Sequence, residues 1–157
     1  MIQRIQTVYL TIVFVFLTII SFGVSIFNFK AGEMVFRLNV MGVQQMNETG
    51  ENTNLLSLPF YLGAILLMVV CFSALILFKN LKTQLAVARF AAMLYFVVLV
   101  FACFGAFLGK YFTNQDNSKL SLGLGFYLLV LGFPLILLAV KSINKDKKLI
   151  DSVNRLR

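Results

Sequence analysis

The chain has 157 residues, of which 60% are hydrophobic, 14 are basic, 6 are acidic and 17 are phenylalanine. A soluble domain is about half apolar and about a quarter charged. A charged fraction of 13% and a mean hydropathy of +0.90 therefore exclude a soluble enzyme, a disordered tail and a secreted disulfide scaffold. What remains is an integral membrane protein, a class in which composition speaks to architecture and orientation rather than to an activity.

A helix needs about 20 mostly apolar residues to cross a hydrocarbon layer of about 30 Å. Residues 8–27, 55–78, 90–108 and 120–140 meet that length without a single charge. Each is about twice as long as a membrane-spanning strand and apolar on every face, so helices are predicted. The expected fold is an all-α integral membrane protein, a four-transmembrane-helix bundle forming one domain over 1–157. Its connections would be 28–54, 79–89 and 109–119, with a tail at 141–157.

The first stretch has the position of a signal peptide. Its apolar run is too long for one, only Arg4 precedes it, and no small-x-small cleavage site follows before Lys30, so it reads as a retained span. It carries small polar residues spaced by seven: Thr11, Thr18 and Ser25. The segment 28–54 is long for a connection. Met34, Phe36, Leu38 and Val40 alternate with Arg37 and Asn39, a period of two that predicts a strand, and Met41-Gly42-Val43 can turn it back into a hairpin over the helix ends. Asn47-Glu48-Thr49 fits a glycosylation acceptor, a pattern common by chance.

Asn54 is placed to cap the second span, and Pro59 falls in its first turns, where a missing N–H costs little. The third span offers Ala102/Ala106 and Gly105/Gly109, pairs that serve packing within the bundle or a second copy of the chain. The fourth has Gly125, Gly132 and Ala139 spaced by seven, suited to left-handed crossings near 20°. Pro134 deprives the Val130 carbonyl of its helical partner. With Gly132 nearby, it is expected to kink the helix and open a small cavity. The tail is helical in pattern. Leu149, Ile150, Val153 and Leu156 fall within about 120° of arc, and Lys141, Lys145, Lys148 and Arg155 gather on another face. It suits either an interfacial helix on lipid or a docking helix for a partner.

Basic residues collect on the cytoplasmic side of short loops. With both termini inside, that side holds ten basic residues against Asp146 and Asp151, and the outer loops balance to zero. The predicted orientation is N-in and C-in. The +8 charge then belongs to membrane topology and anionic lipid, where each juxtamembrane lysine gains about 1 kcal/mol. Nucleic acid is not an expected partner. No Asp, Glu, Lys or Arg lies within a span, and histidine is absent, which argues against pumps, coupled transport and haem ligation. Cys71 and Cys103 fall at different depths and outside any C-x-x-C pattern, so both read as packing residues. No catalytic residue, cofactor or metal is predicted.

Three segments carry a family likeness. They are Met1-Ile2-Gln3-Arg4-Ile5-Gln6-Thr7-Val8-Tyr9-Leu10, Lys79-Asn80-Leu81-Lys82-Thr83-Gln84-Leu85, and Ile143-Asn144-Lys145-Asp146-Lys147-Lys148-Leu149-Ile150 with Ser152 and Arg155-Leu156-Arg157. The chain resembles, over its full length, a family of small four-span Bacteroidota membrane proteins, domain of unknown function family 4293. Leucine at 81 departs from the pattern, where another cation is expected, and the outer loop is poor in aromatics. The resemblance implies a multi-pass protein of a bacterial inner membrane and brings no activity. It also draws attention to one face, because all three segments fall on the cytoplasmic side. Gln3, Arg4, Lys79, Asn80, Gln84, Asp146 and Arg155 are the candidate interaction residues, with Arg4 paired to Asp146 as one specific expectation. Two function readings follow. The first is a non-enzymatic accessory or scaffold subunit, partnered by another protein or by a second copy. The alternative is a binder or carrier of lipid or a hydrophobic small molecule, using the cavity near Pro134.

Overall fold

The computed structural model describes residues 5–31, 34–46, 52–56, 60–112 and 119–155. Helix α1 spans Ile5–Ser21, and strands β1 Phe27–Ala31, β2 Met34–Asn39, β3 Gly42–Met46 and β4 Asn52–Leu56 follow it. Helix α2 covers Phe60–Ile76 and tightens into a 3-10 turn at Leu77–Lys79. Helix α3 (Leu81–Phe112), strand β5 (Lys119–Leu122) and helix α4 (Leu124–Arg155) complete the chain. Three segments are long and apolar enough to cross a membrane: Phe60–Lys79, Leu81–Phe107 and Leu124–Ser152. Ile5–Ser21 is apolar but shorter, at 17 residues.

The buried faces follow heptads. Leu10 and Leu17 on α1, Leu67 and Ala74 on α2, Ala88, Tyr95 and Ala102 on α3, and Leu129, Ile136 and Ile143 on α4 are all buried. Residues between them point outward: Val69, Met93 and Phe104 are 61%, 71% and 56% exposed. Helix α1 packs on α2 and α4, and α3 packs on the same two. Large apolar side chains face both directions, as suits helices apolar enough to cross a membrane, and small residues let their backbones approach. Gly125, Gly132 and Ala139 are buried as their spacing predicts, and Ala102 and Gly105 turn inward. A Cβ added to Gly105 would lie 3.2 Å from the Phe60 ring and 3.3 Å from Leu38, so this face of the small-residue pairs in α3 packs within the chain. The Thr11–Thr18 stripe is not a packing face. Thr11 is exposed, and each hydroxyl donates back to its own helix, to Thr7 and Val15.

The expected all-α class needs correction, because the chain also builds a five-stranded antiparallel sheet in the order β4-β3-β2-β1-β5. The anticipated hairpin is its centre. β2 and β3 pair from Val35↔Met46 to Asn39↔Gly42, and the Asn39 carboxamide accepts from the Met41 N–H at 3.1 Å across the turn. Phe27, Phe29, Leu38 and Val43 are buried, while Lys30 and Arg37 are exposed. The apolar face rests on helix ends, with the Phe27 and Phe126 rings 5.1 Å apart. Such packing is what a small sheet needs to be stable.

Several boundaries move. The first helix stops at Ser21, because Gly23 has φ +88° and the Gly23 N–H returns to the Ile20 carbonyl, after which Phe27 joins β1. Leu55 and Leu56 belong to β4, so Asn54 is a strand residue and not a cap, while Pro59 lies outside the described residues. Leu120 and Leu122 belong to β5. The connection expected over 79–89 shrinks to Asn80, because Lys82 and Arg89 are carried on the exposed side of α3, whose buried side continues through Gln84, Leu85 and Ala88. Helix α4 runs unbroken past Pro134 into the tail.

Candidate functional site

The turn between α2 and α3 is built from local hydrogen bonds. The Asn80 backbone is extended, with φ −114° and ψ 92°, and its N–H donates to the Leu77 carbonyl at 3.1 Å. Its carbonyl accepts from the Gln84 N–H at 2.9 Å, and its side chain accepts from the Thr83 N–H at 3.5 Å. Asn80 thus acts as the N-cap that lets α3 begin immediately after α2 has ended. The tail of α4 passes beside this turn. Lys147, Ile150 and Asp151 share one face at helical spacing, and with Lys79, Asn80, Leu81 and Lys82 they line a cleft of about 460 Å³. Three ammonium groups and one carboxylate give this cleft a net charge of about +2. Among the described residues, none of these four groups forms an ion pair.

Beneath the turn lies a buried amide pair. Gln84 is fully buried and donates to the Ala74 carbonyl at 3.0 Å, holding the end of α2. Gln6, also fully buried, donates to the Gln84 side-chain oxygen at 3.5 Å. The Gln6 side-chain oxygen has no partner among the described residues. This pair ties α1 to α2 and α3 at the level where the apolar core ends.

The residues singled out in the sequence divide in three ways. Lys79 and Asn80 both line the cleft. Gln84 is turned into the core and is not available at the surface, because its amide is used to hold Ala74. Asp146 is half-buried on α4 outside the cleft lining, and Arg155 ends α4. Gln3 and Arg4, and with them the Arg4–Asp146 pair, lie outside the described residues, as does Asn47-Glu48-Thr49. The cleft adds Leu81, Lys82, Lys147, Ile150 and Asp151. The i, i+3, i+4 spacing of the last three was available in the sequence, but the neighbour they face was not.

Among the described residues, the room beside Gly132 is taken by a side chain. Tyr95 is fully buried and its hydroxyl donates to the Leu129 carbonyl at 3.0 Å, occupying the room that Gly132 leaves. Pro134 itself is exposed. The space that a carrier of lipid or a hydrophobic small molecule would use there is filled by a side chain. Cys71 is buried and packs as expected, whereas Cys103 is exposed. Among the described residues, no group of three His, Cys, Asp or Glu side chains could hold a metal ion.

No curated protein and no solved structure matches the chain. The family model described as Domain of unknown function (DUF4293) matches residues 2–156. That match covers the helices, the sheet and the cleft together, and the chain belongs to the DUF4293 family.

Proposed function

We propose that this protein is a non-enzymatic accessory or scaffold subunit of an inner-membrane assembly, crossing the bilayer four times with both termini in the cytoplasm. The observation that carries this reading is the tail of α4. Among the described side chains the last fully buried one on this helix is Ile143, and the helix continues to Arg155, about 18 Å further at 1.5 Å per residue. Along that extension Leu149 and Ile150 are 57% and 47% exposed. Two adjacent exposed apolar residues on a largely polar helix face suit a groove on a partner protein. The orientation is supported by the charge asymmetry, which gives the tail side ten basic residues and the sheet side a zero balance. Helix α1 is about 26 Å long at 1.5 Å per residue, so a fourth crossing also needs the residues that lead from it into the sheet.

The test is a photo-crosslinking residue at position 149 in living cells, combined with purification in mild detergent. The expected result is one stoichiometric partner that survives purification and is lost in Leu149→Asp. A chain that purifies alone, with no specific crosslink, overturns the reading.

A further inference from the structure

We propose that the cleft between the Asn80 turn and the α4 tail binds the phosphate-bearing headgroup of an anionic phospholipid. This rests on the membrane placement proposed above and is independent of the accessory role. The first support is depth. Gly105 marks where α3 meets the sheet, through Leu38, and Gln84 marks where the apolar core ends. They are separated by 21 residues of one helix, about 31 Å at 1.5 Å per residue, which matches a hydrocarbon layer of about 30 Å. Leu81 and Lys82 precede Gln84 by less than one turn. The cleft they line therefore opens within about 5 Å of the hydrocarbon boundary, in the layer of phosphates and glycerol groups.

The second support is the origin of the charges. Lys79 comes from the 3-10 turn, Lys82 from the first turn of α3 and Lys147 from α4. Lys147 is remote in sequence from Lys79 and Lys82, yet all three line one concavity, and Asp151 is the sole acid lining it among the described residues. Among the described residues these ammonium groups form no ion pair that an anion would have to displace. The start of α3 adds the partial positive charge of a helix N-terminus. Leu81 and Ile150 supply apolar lining beside the cations. A diester phosphate with a glycerol backbone and acyl chains meets both demands, with its anion toward the lysines and its hydrocarbon toward the lipid-facing surface. The Asp151 carboxylate is placed to accept from headgroup hydroxyls. A volume of about 460 Å³ lies within the range of small-molecule sites.

The experiment is native mass spectrometry of the full chain in an uncharged detergent, titrated with phosphatidylglycerol or phosphatidylcholine, with inorganic phosphate and glycerol 3-phosphate as soluble competitors. Each lysine near an anionic surface contributes about fivefold in affinity. The triple variant Lys79→Gln/Lys82→Gln/Lys147→Gln is therefore expected to lose at least about tenfold in phosphatidylglycerol retention, while the corresponding Lys→Arg triple keeps it. The control Lys141→Gln/Lys145→Gln/Lys148→Gln removes the same charge from α4 outside the cleft; net charge alone predicts the same loss there, whereas a built site predicts a clearly smaller one. Equal losses in both Gln triples, or unchanged retention in the cleft triple, overturn the site. Displacement by glycerol 3-phosphate at matched concentration overturns the lipid assignment in favour of a soluble phosphate. Thermal melting of each variant confirms that it is folded. The crosslink at position 149 reports on the accessory role separately.

Discussion

At one end of the helices, five strands join segments that are far apart in sequence. The Gly123 N–H donates to the Ile26 carbonyl at 2.9 Å, the Gly125 N–H to Ser25 at 3.0 Å and the Ile26 N–H to Leu38 at 2.7 Å. These bonds stitch the exit of α1 to the entry of α4 through the sheet. At the other end, the turn hydrogen bonds are local: Asn80 to Leu77 and Gln84 to Asn80. The long-range link there is a chain of side-chain amides, from Gln6 through Gln84 to Ala74, with one step of 3.5 Å. Each end leaves one carboxamide oxygen without a partner among the described residues, Asn28 in the sheet and Gln6 at the turn, but only the Gln6 residue is fully buried. The sheet end is therefore held by main-chain bonds between distant segments, and the turn end by side-chain amides. The turn end carries, around an open cleft, lysines that form no ion pair among the described residues.

The sharpest way to break this contrast is at the junction of β5 and α4. A Cβ at Gly123 would collide with the Ser25 carbonyl and lie 2.7 Å from its carbonyl carbon. Backbone is fixed on both sides of that contact, so nothing can yield cheaply. Gly123→Val is expected to cost more than about 3 kcal/mol, seen as loss of folded protein or a collapsed melting temperature in detergent. The contact at Gly132 is softer, because the obstacle is the Tyr95 hydroxyl. Gly132→Ala is expected to cost about 2 kcal/mol, combining overpacking with the lost hydrogen bond to Leu129. Tyr95→Phe alone should cost about 1 kcal/mol. If the hydroxyl is the obstacle, the double variant should be close to Tyr95→Phe, and the coupling is read from a double-mutant cycle. Additive losses would mean that Gly132 serves some other purpose.

How much of this was legible beforehand follows from where each residue points. The heptads in α4, Gly125-Gly132-Ala139, and the alternation from Phe36 to Asn39 were readable because their periods survive in three dimensions. Strands β1, β4 and β5 were hidden, because Phe27, Leu55, Leu56, Leu120 and Leu122 lengthen the apolar runs of the neighbouring helices. A strand laid over helix ends is as apolar as the spans beside it, so hydropathy alone cannot separate the two. The early start of α3 was hidden for the opposite reason. Lys82 and Arg89 read as loop charges, but one face of a helix carries them easily. Lys79 and Asn80 were picked out from the basic segment. Lys147, Ile150 and Asp151 were not, because the rotation of α4 against α3 is a tertiary property with no local signature.

The turn end should respond more gently and less uniformly. Gln84→Leu removes the donor to the Ala74 carbonyl and strands that buried acceptor, an effect of about 2 kcal/mol. Asn80→Ala removes the N-cap oxygen of α3 and should cost about 1 kcal/mol, whereas Asn80→Asp should keep most of it. Thermal melts in one detergent rank these two below Gly123→Val if the sheet end is the stiffer one, and an inverted ranking would refute the contrast.

Gln6→Leu should have the smallest effect, and its sign is informative. The wild-type side chain brings one long hydrogen bond at 3.5 Å and one buried oxygen with no partner among the described residues. A long bond contributes little, and an orphan buried acceptor costs about 1–3 kcal/mol in desolvation. Leucine is close to glutamine in size and fills the same space, so the loss and the relief nearly cancel. The expected change is within about 0.5 kcal/mol of zero, or stabilising. Gln6 and Gln84 are neighbours in one amide chain, yet the same substitution should separate them by more than about 1 kcal/mol. A large loss at Gln6 would show that its oxygen is engaged in the working protein, by a donor from a partner or from solvent held under the turn.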